Sequence, residues 1–512
     1  FKLRKEGENM NDEYDEEWEE TYLKNHEEST GAFSEKLPDI VRQYQESACK
    51  VAHLNEVPAV INFFALLGQI SKDYVKIPNG RNIEDTRIHS CQIQTSGSGK
   101  STLYNFTGPI AKKVFARINA LGTHPVDNNI ACEEGYHKAK HFDTFSVQIA
   151  TSAALIGAWK NVQVVEIDDD GNEKLTGKWE PKFFHGALQG HGFAHWDEFE
   201  YSGVFNPSQH QQDTVVLLNT LMNTLHGENW VMRKILVDGN DIECYSERSV
   251  LAMTYPPKEL NSIMTEKGLL QRMLCYIWDV PEAVLDKMRR KQIEKAGIYE
   301  DVEGPIDDFV KSYMKIYTHL QAHHSQTLKD GGTSMDTMTY TDDFRQVLLL
   351  EYESMMNYIN SSGLFVREVA SNFITRLLKI LIKMSVLCSI AQAPAIKDKD
   401  LRYRVTGQNV RQAGAITRQC YKTLVDWLER SLRDQRAKGK SISYKQQFIE
   451  VYNKMATNDE PYINKVLFQT ELEKKLSKSR AQVYRIWDNY SKYFEIKQIG
   501  RSTYIKLKEE KK

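Results

Sequence analysis

The chain has 512 residues, 27% charged and 41% hydrophobic, with a formal net charge of −2. That length admits three or four domains of roughly 100–200 residues each, and 10% aromatics with only 13 prolines exclude a mostly disordered or fibrous chain. The most apolar run, Leu377 to Ala395, is broken by Lys379 and Lys383. No membrane-spanning helix is therefore expected and, with no apolar leader, the expected location is cytoplasmic. Seven cysteines without a CxxC pair read as reduced thiols, not as a disulfide frame or a zinc site.

Charge is unevenly spread. Residues 1–37 hold 5 Lys/Arg against 12 Asp/Glu, whereas residues 431–512 hold 19 against 10. The acidic head reads as a disordered tail, and the basic end as a surface for a polyanion. The chain opens with Phe1, and Met10, followed by NDEYDEEWEE, is the expected natural start.

Residues 38–85 form a predicted helical segment, with Ile40, Val41, Tyr44 and then Val60, Ile61, Phe64, Leu66, Leu67 at helical spacing, and a Pro-Asn-Gly turn at 78–80. A predicted strand from Arg87 to Gln94 feeds a Gly/Ser loop and a helix, roughly Lys100 to Asn119. Further strands are expected at Phe145–Ala150, Gly192–Trp196, Ser249–Thr254 and Met273–Asp279, with a helix at Asp213–His226. Strands alternating with helices imply an α/β fold with a mainly parallel sheet over residues 86–282. Residues 283–432 read as nearly all helix, and residues 433–512 as a separate small module.

The most specific signal is Gln94-Thr95-Ser96-Gly97-Ser98-Gly99-Lys100-Ser101-Thr102, placed between a strand and a helix. Glycines let backbone N–H groups curl around phosphate oxygens, and the helix N-terminus adds its dipole. In such a loop Lys100 reaches the β- and γ-phosphates of ATP, and the Ser101 hydroxyl holds Mg²⁺. Gln94 stands where the first glycine of the motif usually lies. An acidic partner is offered by Gly192-Phe-Ala-His-Trp-Asp197-Glu198, a mostly apolar strand ending in Asp-Glu. Asp197 would hold Mg²⁺ through water, and Glu198, pointing the other way along the strand, would polarise the attacking water. His195 reads as a hydrogen-bonded sheet histidine, not a ligand.

On these motifs the chain resembles AAA+ ATPases over roughly residues 87–400. Ser249 to Thr254, followed by Tyr-Pro-Pro, is similar to the sensor 1 strand, with Thr254 as its polar tip. Glu266-Lys-Gly-Leu-Leu-Gln-Arg272 resembles the segment carrying the arginine finger, which implies that Arg272 reaches a neighbouring subunit's nucleotide. Arg367 and Arg376 are alternatives for the sensor 2 arginine of a helical lid. Two predicted hairpins narrow the subgroup: one at about 161–180, turning at Asp168 to Asn172, and one at about 230–245 with an Asp-Gly-Asn tip. A helix-2 insert with a pre-sensor-1 hairpin resembles the minichromosome maintenance (MCM) helicases and MCM-like proteins of viruses, prophages and plasmids. The resemblance implies ATP and Mg²⁺ as cofactors and a homo-oligomeric, hexameric ring around single-stranded or forked DNA. It further implies channel hairpins that touch the DNA, here through Arg233 and Lys234, and a primase or polymerase partner.

Residues 441–508 read as three helices and a two-stranded wing, an order similar to a winged helix-turn-helix. Lys478, Arg480, Arg485 and Lys492, on or beside the third helix, and Arg501 at the wing tip would meet phosphates. Val483, Ile486, Trp487 and Tyr490 are expected to face inward. The leading expectation is an ATP-driven DNA helicase or translocase. Alternatives are a superfamily 3 viral helicase, a non-unwinding AAA+ ATPase (helicase loader, origin initiator or defence ATPase), and a protein remodeller.

Overall fold

The computed structural model describes residues 37–508, apart from 53–54, 123–141, 148–150, 168–172, 200–211, 226–229, 236–240, 257–267, 295, 297–301, 361, 394–402, 438–443, 457–460, 477–479 and 501. Helices α1 (Asp39–Val51) and α2 (Glu56–Ser71) come first, then a small hairpin of β1 (Ile77–Asn79) and β2 (Asn82–Glu84) built on the expected turn. Next come β3 (Ser90–Gln94), α3 (Lys100–Leu121), β4 (Phe142–Val147) and the short α4 (Ser152–Ile156). A long hairpin of β5 (Gly157–Ile167) and β6 (Glu173–His185) precedes β7 (Gly190–Trp196) and α5 (Gln212–Leu221). A second hairpin, β8 (Met232–Ile235) with β9 (Asp241–Cys244), precedes β10 (Ser246–Thr254) and β11 (Leu274–Trp278).

Among the described residues, five strands form one parallel sheet in the order β11-β3-β10-β7-β4. Strands β3, β7, β10 and β11 are buried at every residue, as parallel strands covered on both faces must be. Gly192 lets β4 come close: a Cβ there would lie 1.9 Å from the Asp143 carbonyl oxygen.

The helical region contains α6 (Glu282–Glu294), α7 (Glu303–Lys329), α8 (Asp343–Asn360), α9 (Leu364–Gln392) and α10 (Gly407–Ala437). A two-stranded parallel pair, β12 (Met338–Tyr340) with β13 (Tyr403–Val405), interrupts it, which the helical periodicity did not foreshadow. One continuous apolar core runs from Leu37 to Leu428 and takes in both residues 38–85 and the helical region. Helix α2 explains this. Its residues from Val57 to Ser71 are all buried, so the segment expected to show one apolar face is covered all round.

The chain ends in α11 (Tyr444–Met455), β14 (Ile463–Asn464), α12 (Lys465–Leu476), α13 (Arg480–Tyr490), β15 (Phe494–Ile499) and β16 (Ser502–Leu507). These elements have their own core around Phe448, Phe468, Trp487 and Phe494. The Tyr493 hydroxyl donates to Glu368 Oε1 of α9 at 3.0 Å. Because α10 continues to Ala437, the boundary expected at residue 433 falls inside a helix, and the module starts later. Among the described residues no helix is long and apolar enough to cross a membrane.

Candidate functional site

The Gly/Ser loop leaves the carboxyl end of β3 and enters α3, where open α/β sheets bind ligands. Gly97 and Gly99 adopt φ values of 79° and 84°, which favour glycine and turn the chain sharply into the helix. The Lys100 ammonium folds back over the loop, donating to the carbonyl oxygens of Gln94 (2.6 Å) and Thr95 (3.1 Å), and sits 4.5 Å from the centre of the Tyr255 ring. Thr95 is tied to the end of β11: its hydroxyl donates to Asp279 Oδ1 at 3.0 Å and accepts from the Val280 N–H at 2.9 Å.

The departure at Gln94 has a structural use. Its side-chain amide donates to Asn55 Oδ1 at 3.0 Å, and the Asn55 amide donates to the Ser98 carbonyl oxygen at 2.8 Å. Asn55, just before α2, thus clasps both ends of the loop. Two turns further along α2, Asn62 repeats the contact by accepting from Gln92 Nε2 at 2.9 Å. Position-by-position reading missed Asn55. The visible signal was a strand written Ser-Cys-Gln-Ile-Gln, too polar for a buried strand unless a partner supplies hydrogen bonds.

Ser101 and Asp197 line one cleft of about 840 Å³, together with Tyr104, Ser146, His195 and Met253. The sheet order explains the convergence. Strand β10 lies between β3 and β7, so Thr254, paired with Ile93, ends between the loop and the acidic pair. Strand β7 stops at Trp196, which corrects one expectation: Asp197 and Glu198 lie in the bend beyond it. Strand alternation therefore does not aim Glu198. Its own φ is 55°, a left-handed conformation uncommon outside glycine.

His195 is hydrogen-bonded in the sheet, as expected, and also lines the cleft. Its ring lies flat on Tyr104, with centroids 3.4 Å apart and planes 6° from parallel, and its Nδ1 is 3.2 Å from Ser146 Oγ. Burial pushes the imidazole pKa down to about 4, so the ring is neutral. Burial also pushes the Tyr104 phenol up to about 12, against a lowering contribution from hydrogen bonding to Ser146.

Arg272 lies in a single turn of 3₁₀ helix before β11, at the opposite end of the sheet from the Gly/Ser loop. A five-residue strand spans about 16 Å, so Arg272 cannot serve the loop of its own chain. It lines a second cavity, of about 360 Å³, with Arg81, Arg87, Arg376, Lys379 and Lys383. Three of these cations are neutralised locally: Arg87 by Asp85, and Lys379 and Lys383 by Glu84. Arg272 instead donates to Asn219 Oδ1 (3.0 Å) and the Gly268 carbonyl oxygen (2.9 Å). Burial and, second, the charge of Arg376 lower its pKa. Arg376 therefore converges with Arg272, whereas Arg367 donates to the carbonyl oxygens of Asn360 (3.1 Å) and Ser362 (3.2 Å), closing the end of α8.

Both expected hairpins exist, and the first is longer than its sequence pattern suggested. Its stem exposes Trp159 (37%), Trp179 (63%) and Phe184 (41%) beside the exposed Lys160, Lys178 and Lys182. Trp159 Nε1 donates to the Asp241 carbonyl oxygen at 3.2 Å, joining the two hairpins. In the second, Arg233 pairs with Glu243 and Lys234 with Asp213, both at 2.8 Å. In the C-terminal module Val483 and Trp487 are buried and Ile486 and Tyr490 pack on the same core, as expected. Arg480 and Lys492 are exposed. Lys478, Arg501 and the side chain of Arg485 lie outside the described residues, as do both hairpin tips. No protein-family model matches the chain, and no curated protein matches it in a sequence search.

Proposed function

We propose that the protein is an ATP-hydrolysing, ring-forming translocase on DNA, of the MCM-like AAA+ type, acting in replication of a virus or mobile element. The observation that carries this reading is the convergence of Ser101 and Asp197 on one cleft beside the Lys100 loop. The residues fit Mg²⁺ and ATP: a hydroxyl residue and a carboxylate residue line one cleft at a helix N-terminus. Ser101 and Asp197 would hold the cation, which when bound supplies charge neutralisation for phosphoryl transfer. Lys100 would exchange its carbonyl partners for phosphate oxygens. Thr254 and Glu198 would orient and polarise the attacking water.

Arg272 and Arg376 would act on the nucleotide of the adjacent subunit, since both lie at the far end of the sheet from their own loop. The β5–β6 hairpin supports an MCM-like protein over a superfamily 3 helicase, and its exposed aromatics and lysines suit single-stranded DNA. The helical region would be the lid. The C-terminal module has the element order of a winged helix, three helices and a three-stranded sheet, with Arg480 and Lys492 available for phosphates.

The test is ATP hydrolysis with and without single-stranded DNA. The wild-type rate should rise severalfold with DNA, and Lys100→Ala should reduce turnover at least about 100-fold, the loss typical of a missing transition-state charge contact. Brisk turnover indifferent to DNA would favour a second reading, a non-unwinding ATPase switch. The local pairing of Arg233 and Lys234 is the observation on its side.

A further inference from the structure

Two pairs of residues from neighbouring elements line the cleft like rungs. Ser101 and Tyr104 are three residues apart on α3 and so share one face of that helix. From the sheet side come His195, in β7, and Asp197, in the bend just past its end. All four line the cleft. The lower rung is closed by the stack of Tyr104 on His195, and the upper rung, Ser101 with Asp197, is the proposed cation site.

The imidazole is held on three sides. One ring face lies on Tyr104, Nδ1 meets Ser146 Oγ, and the side chain is 4% exposed. Its Nε2 is buried with no hydrogen-bond partner among the described residues. A buried polar atom left unpaired is destabilising, so the site calls for a bound partner. Mg²⁺ retains several waters when a protein binds it through one or two oxygen ligands. Such waters donate hydrogen bonds, because their lone pairs face the metal.

We propose that His195 is a positioning residue of the cation site: clamped by Tyr104 and Ser146, it accepts through Nε2 a hydrogen bond from a water of the cation's hydration shell. The imidazole is then not itself a ligand. Its proton sits on Nδ1 and is donated to Ser146 Oγ, the outer-shell arrangement that fixes a tautomer and tunes a metal site. This inference rests on the nucleotide reading of the cleft.

The probe is Mn²⁺ with a non-hydrolysable ATP analogue, measured by electron paramagnetic resonance on the full chain. His195→Phe keeps a flat ring for Tyr104 and removes Nε2. It should weaken Mn²⁺ binding about 10-fold, the lower end of outer-shell effects, with analogue affinity in EDTA unchanged. His195→Gln, which restores an acceptor, should recover most of that loss. Mn²⁺ affinity unaltered in His195→Phe overturns the proposal. So does a directly coordinated imidazole nitrogen in the wild-type pulsed spectrum, a readout independent of whether any variant folds. Lys100→Ala separates the two claims: if it binds the analogue as wild type does, the nucleotide reading fails and this inference falls with it. If it loses the analogue while His195→Phe keeps Mn²⁺, only the role of His195 fails.

Discussion

The two ends of the parallel sheet use charge in opposite ways. At the amino ends of the strands, buried ions neutralise one another. Lys72, fully buried, pairs with Asp73 at 2.6 Å and with Glu247, which also meets His191 Nδ1 at 3.1 Å. Arg87 pairs with Asp85 and donates to the carbonyl oxygens of Leu221, Arg248 and Asn223. Arg248 pairs with Asp143 and donates to the carbonyl oxygens of Gln189 and His191. At the carboxyl ends, Ser101, Asp197 and His195 line a cleft instead. Like residue types therefore do different work: a group closed upon its neighbours holds the fold, and a group facing a cleft is available to a ligand. Asp73, His191 and Glu247 lie close enough to suggest a metal site, but the Lys72 ammonium already supplies the cation there.

Arg272 and Arg376 are the exception at the amino ends, two neighbouring guanidinium groups without an ion-pair partner among the described residues. The largest expected effect tests them. In the assembled protein Arg272→Ala should lower hydrolysis by about 10³-fold or more, the range of an arginine finger, while nucleotide affinity of the isolated chain holds. Arg376→Ala should act in the same direction and Arg367→Ala should leave hydrolysis near wild type. Subunit-mixing assays check this: a Lys100→Ala chain and an Arg272→Ala chain together should recover activity neither has alone.

Next in size is the closed end itself. Lys72→Met would leave Glu247 buried beside a neutral side chain, a change that costs about 3–5 kcal/mol, read as a fall in the urea midpoint. Acid should act similarly. Burial alone would raise the pKa values of Glu247 and Asp85, yet Lys72 and His191 for the first, and Arg87 and Lys383 for the second, hold both well below the usual carboxylate range. Their stabilisation is complete above the unfolded carboxylate values of about 4 and is lost as pH falls below them. Urea midpoints should therefore start to drop at about pH 4 and keep falling below about pH 3, and the drop should be shallower in Asp85→Asn.

The smallest effect sharpens the comparison at the open end. Asn55→Ala strands the Gln94 amide and the Ser98 carbonyl, a loss of about 1–3 kcal/mol. Calorimetric titration should show nucleotide affinity reduced about 10-fold, with little change in the fold of the remaining sheet.

Much of this molecule was legible from the residues alone, for identifiable reasons. The glycines at 97 and 99 mark the tight turn between β3 and α3, because few other residues tolerate that backbone. The run from Gly192 to Trp196 is mostly apolar, as suits a covered parallel strand. The hairpins announced themselves by Gly-containing turns between β-rich runs. These are local properties, set within about ten residues. What only the tertiary structure decided depends on elements far apart in the chain. Helix α2 sank wholly into the core because the sheet covers one side and helices the others. Arg376, not Arg367, joined Arg272 because α9 presents it to the amino end of the sheet. Asn55 reached the loop from 39 residues before Gln94, and His195 met Tyr104 across the gap between a strand and a helix. Periodicity reports which face of an element is apolar, but not what will stand opposite it.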